Sequence, residues 1–203
     1  MGNASLFPQS ATLEFFDPLA ELLGAGDGVF RYTFDDVVKM AGHACPTVAG
    51  AFVMVQQAVA RLYPDERPER GGLRIRFAGP PDQGANGPFT QVLTLLTGAA
   101  AENGFGGLGG HYVRKGLLGF EPAAEPGPAT ATFERSDSGT QVTLRYDPSP
   151  IAADPAMGEA MQQVLTGRAD AATTERFREA WSGRVAAILE DGGASTVQPL
   201  EEA

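Results

Sequence analysis

The chain is poor in the residues from which disulfides, metal centres and catalytic triads are built. Of 203 residues, one is cysteine and two are histidine. A single cysteine excludes an intramolecular disulfide and leaves thiol exchange without a resolving partner. With only His43 and His111, a Ser-His-Asp triad has no support, and Ser182 stands in WSGR rather than in GxSxG. No apolar run reaches the roughly 18 residues that span a bilayer. The opening lacks a basic stretch followed by an apolar one, and Leu6 stands where a myristoylation signal beginning at Gly2 takes Ser or Thr. A cytoplasmic protein off the membrane is expected. Basic charge is also scarce: 15 Lys and Arg against 25 Asp and Glu give −10. Nucleic acid, which needs a basic surface, is therefore not an expected partner. The one basic concentration is Arg61, Arg67, Arg70, Arg74 and Arg76, interrupted by Asp65, Glu66 and Glu69. It reads as a solvated helix end and loop that leaves room for a small anion.

What is present suits one globular domain, with 43% hydrophobic and 20% charged residues. After a loose lead-in over residues 1–11, Leu13, Phe16, Leu19, Leu22 and Leu23 fall near helical spacing. Val29 to Phe34 alternates as a short strand, and Thr33 or Asp35 caps a helix through Met40. Val48, Phe52, Val55, Val59 and Leu62 repeat at helical intervals, with Pro46 at the first helical position and Pro64 as a stop. This predicts a helix from Pro46 to about Tyr63. Leu73 to Phe77 alternates as a strand, and Phe89 to Leu96 reads as a helix opened by Gly87-Pro88 and closed by Gly98. Gly104 to Gly110 is a glycine-rich loop without the GxxxxGK[ST] spacing of a phosphate loop. Strands are expected at residues 112–120, 129–135 and 141–146, the last two joined at Ser138-Gly139. Helices are expected at 154–166 and 172–190, with Phe177 and Trp181 in the core and a disordered tail over 191–203. The fold class is α+β: a mixed sheet flanked by helices over 1–150, and a helical C-terminal extension over 151–203. A homodimer is expected if one face of such a sheet is apolar and open.

The chemistry concentrates in Gly42-His43-Ala44-Cys45-Pro46. Residues two apart in an extended segment point the same way, so His43 and Cys45 can present a ring nitrogen and a sulfur to one point. Cys45 falls at the helix start, where unpaired N–H groups and the helix dipole favour an anion, the form in which cysteine binds metal. Imidazole with thiolate suits zinc best, with iron, nickel or copper as alternatives. Two donors do not complete a site. His111 is the expected third, ahead of Glu102, Asp82 and Asp36. A haem bound through Cys45, His43 or His111 is the alternative cofactor.

GHACPTVAGAFVM resembles the GHxCPG-type opening of the FmdE-like family, which takes its name from a component of formylmethanofuran dehydrogenase. Phe89-Thr90-Gln91-Val92 followed by Thr97-Gly98 resembles the family's helix ending in Thr-Gly-Cys-Thr. Lys115 to Phe120 occupies the place of its Gly-Lys and aromatic strand. The resemblance covers roughly residues 35–120. It implies a mixed sheet flanked by helices and a metal-binding site that uses His43 and Cys45. The family's further cysteine falls on Ala99, and the cysteines of its C-terminal zinc finger are absent. A metal-binding protein acting on a small molecule is one expectation. A non-enzymatic accessory subunit with a vestigial site is another.

Overall fold

The computed structural model describes Phe7, residues 12–123 and residues 127–200. Apart from Phe7, the lead-in lies outside the described residues. The fold is α+β. A two-stranded antiparallel sheet pairs β1 (Leu13–Phe16) with β2 (Val29–Tyr32). A mixed five-stranded sheet has the order β4-β3-β5-β6-β7. Its strands are β3 (Leu73–Ala78), β4 (Leu118–Glu121), β5 (Ala129–Arg135), β6 (Gln141–Tyr146) and β7 (Val197–Leu200). The β3–β4 pair is parallel and the others are antiparallel. The helices are α1 (Pro18–Leu22), α2 (Phe34–Ala41), α3 (Pro46–Leu62), α4 (Asn86–Thr97), α5 (Met157–Leu165) and α6 (Ala171–Asp191). None of the described helices is long and apolar enough to cross a membrane.

Helix α3 is the axis of the core. Val48, Phe52 and Val55 are fully buried, and so are Ala49, Ala51, Val53 and Met54 on its other faces. A helix buried on more than one face must be covered from several directions. Helices α2, α4 and α6 and strands β6 and β7 all contact it. Full burial of a side chain such as Phe52 stabilises by about 2 kcal/mol. The C-terminal segment joins the same core, since Val185, Ile188, Leu189 and Val197 belong to its cluster.

Helix α3 can approach β6 closely because residue 50 is glycine. A Cβ there would overlap the ring of Tyr146. Helices α2 and α4 both end at glycines with positive φ, Gly42 and Gly98, which only glycine adopts without strain.

Three expectations are corrected. The segment from Leu13 to Leu23 is not one helix. Leu13 and Phe15 alternate inward as β1, and Asp17-Pro18 then opens the short α1, with Asp17 accepting from Leu19 N and Ala20 N. The strand expected at 112–120 is only Leu118–Glu121, because Tyr112 takes φ +57° and the chain before Leu118 is a loop. The tail from 191 is ordered as far as Leu200. Asp191 accepts from Ser195 and Thr196, which turns the chain so that Val197 pairs with Tyr146. The tail's last three residues lie outside the described part. Among the described residues, the sheet face away from the helices is polar. Arg76 binds Glu134 at 2.8 Å and Gln141 at 2.9 Å, and Thr132 meets Thr143 at 2.8 Å.

Gly50→Ala should destabilise the protein by about 3 kcal/mol, read from urea unfolding, because Tyr146 cannot withdraw without moving β6. Burial works to raise the Asp191 carboxyl, but hydrogen bonds from Ser195 and Thr196 outweigh it and hold the group below its ordinary value of 3.8. A lowered folded-state value means that its contribution is complete above 3.8 and is lost as pH falls below that. The stability gap between wild type and Asp191→Asn should thus be full at neutral pH and close in acid.

Candidate functional site at the head of helix α3

Helix α2 stops at Gly42, and the chain turns through His43 and Ala44 into Cys45, which is extended at φ −152° and ψ 165°. Pro46 then begins α3. Cys45 is the N-cap, but its side chain makes no capping hydrogen bond, and the first turn holds no acidic residue. The thiol is free and half-buried. His43 is exposed, with Nδ1 2.9 Å from Ala41 O. A carbonyl can only accept, so Nδ1 carries a proton, and in the neutral ring Nε2 keeps its lone pair. That is the tautomer in which a histidine ligates metal through Nε2.

Two distant side chains hold the segment in place. Trp181 Nε1 donates to Ala44 O at 2.7 Å, and Tyr146 Oη donates to Pro46 O at 2.7 Å. Ala49 N takes the carbonyl between them, Cys45 O, at 3.0 Å. The backbone on both sides of Cys45 is thus fixed by α6 and β6. Burial pushes the Tyr146 hydroxyl well above its ordinary value, so it stays a donor at physiological pH. Sequence reading missed both residues in this role. Trp181 carried one signal: a half-buried indole N–H needs a partner.

Thr47 and Asn86 line one cleft of ≈450 Å³ together with Phe89, Thr130, Tyr146 and Pro148. The heads of α3 and α4 therefore lie at the same end of the sheet. Helix α4 ends at the opposite edge, where Thr97 O accepts from Gly71 N just before β3. His111 lies in the loop that follows α4. It is exposed and trades backbone hydrogen bonds with Leu108 at 2.9 Å each way.

Among the described residues, His111 is not brought into a metal-holding group with His43 and Cys45. Among the described residues, no group of three or more His, Cys, Asp and Glu side chains comes together to hold a metal ion. Of the other named candidates, Glu102 pairs with Lys115 at 3.1 Å, Asp36 binds Thr33 and Lys39, and Asp82 is exposed in the turn before α4. Ala99 is fully buried and offers no donor side chain.

No family model, curated protein or solved structure matches this chain.

What the site offers is a donor pair, one imidazole nitrogen and one sulfur, on a backbone that cannot readily shift. Tyr146→Phe keeps the ring against Gly50 and removes only the hydroxyl. It should cost about 1 kcal/mol in urea unfolding and speed the reaction of Cys45 with a soluble disulfide, because Pro46 O loses its anchor.

Proposed function

We propose that this is an FmdE-like metal-binding protein that contributes half of a metal site. His43 Nε2 and Cys45 Sγ are its two ligands, and the remaining positions belong to water or a bound small molecule. The observation that carries this reading is the hydrogen bond from His43 Nδ1 to Ala41 O, which leaves Nε2 free two residues before an uncapped thiol. The donors suit zinc as two of the three or four it takes. Among the described residues no third His, Cys, Asp or Glu groups with these two, so a closed resident site is no part of the proposal. A metal held this way exchanges readily, and its open positions let it present a small molecule or polarise a water. We assign no reaction to it.

The accessory-subunit reading has its own observation: the position that matches the family's further cysteine is the buried Ala99. The two readings part on one experiment. Trp181 is the single tryptophan, and its indole is hydrogen-bonded to the residue beside Cys45. Titrated Co²⁺ should quench Trp181 fluorescence saturably at one equivalent and give a sulfur-to-cobalt absorption band. Cys45→Ser should lose the band, and His43→Ala should weaken binding at least tenfold. Absence of saturable quenching, or equal quenching in both variants, would leave the vestigial reading standing.

A further inference from the structure

A groove of ≈760 Å³ runs along the outward face of α4, past Thr90 and Thr94, beside Leu118 and Phe120 of β4 and under Phe105 at the base of the glycine-rich loop. Both Arg70 and Arg114 line it. The Arg114 side chain is only 9% exposed. A charged group so buried needs a partner for its charge and for its five N–H bonds. Among the described residues it makes one side-chain hydrogen bond, from Nη2 to Asp17 Oδ1 at 2.8 Å. That same carboxylate also serves Arg70, whose Nη1 reaches Oδ2 at 3.1 Å.

Asp17 further accepts from Leu19 N and Ala20 N, so its capacity is taken up. Arg70 spends Nη2 on Leu95 O at 3.0 Å, while its buried Nε has no partner. Two guanidinium groups thus share one carboxylate, and one positive charge at the groove wall is left without a buried counter-charge. Glu69 also acts on Arg114, but it is exposed and solvent screens it.

The seat of Arg114 is built into the backbone. Gly71 and Gly98 have φ of +90° and +75°. A Cβ on Gly71 would overlap the guanidinium, and one on Gly98 would stand 3.3 Å from Nη1. The loop base fixes Phe105 beside it, since Arg114 N and Lys115 N donate to Phe105 O at 2.9 and 3.1 Å. Phe105 is nevertheless 43% exposed, an apolar ring with one face uncovered at the rim of a charged groove.

We infer that this groove binds a small organic monoanion, its carboxylate against Arg114 and Arg70 and its apolar body between Phe105, Leu118 and Phe120. The guanidinium fork matches a carboxylate, one excess charge matches a monoanion, and the volume lies within the range of small-molecule sites. The groove does not include His43 or Cys45 and does not depend on metal there.

The probe is 1-naphthoate, compared with neutral 1-naphthamide, followed through the amide NMR shifts of the full chain. Naphthoate should shift Phe105, Arg114 and their neighbours saturably, and the amide should bind at least tenfold more weakly. Arg114→Lys should weaken naphthoate at least tenfold. Thr94 lines the groove but makes no side-chain hydrogen bond to Asp17, Arg70 or Arg114 among the described residues, so Thr94→Phe, which fills the groove, decides the matter even where the Arg114 variant fails to fold; it should abolish the shifts. Equal binding of acid and amide, unchanged binding in Thr94→Phe, or no saturable shift up to millimolar probe would overturn the inference.

Discussion

One aromatic side chain sets the relation between sheet and helices. Tyr146 lies with its ring against the backbone of Gly50 and its hydroxyl on Pro46 O, so it positions both the body and the head of α3 from the end of β6. The ring demands glycine at residue 50, and the hydroxyl demands a carbonyl that the helix start leaves within reach. Strand β7, by pairing Val197 with Tyr146, holds the strand that carries this residue. Trp181 then fixes the carbonyl on the other side of Cys45 from α6. The part of the chain beyond residue 140 thus supplies the scaffold for the candidate site in residues 43–46.

How legible this was depended on the distance over which each signal acts. The apolar stripe from Val48 to Leu62 is a local pattern, and α3 follows it closely. The hairpin at Ser138-Gly139 is equally local, with Gly139 at φ +72°. Residues 13–23 mixed two periods: Leu13 and Phe15 alternate, while Leu19 and Leu22 keep helical spacing. The break falls at Asp17-Pro18, which was readable as an N-cap and first helical residue. The strand at Val197 could not be read, because its partner is 51 residues away and Asp191 makes the turn through side-chain hydrogen bonds.

The same rule governs the sites. His43 and Cys45 could be singled out as candidates because they lie two residues apart and a helix start follows. His111 looked like a third ligand because histidines are few, but scarcity carries no information about distance. The Asp17, Arg70 and Arg114 cluster was invisible for the opposite reason: Arg70 and Arg114 lie 53 and 97 residues from Asp17. Arg70 in particular sits in a run of arginines that reads as solvated. Arg61, Arg67 and Arg74 are indeed exposed, whereas Arg70 turns inward to a carboxylate carried by the loop before α1.

The account rests on one imidazole and one thiolate acting together on a metal at the head of α3. X-ray absorption at the zinc edge, on protein loaded with one equivalent, reads that directly. The account predicts one sulfur at about 2.3 Å and one imidazole nitrogen at about 2.0 Å, with water or buffer oxygen completing the shell. A shell of oxygen and nitrogen alone, or zinc that does not stay with the protein, would contradict it.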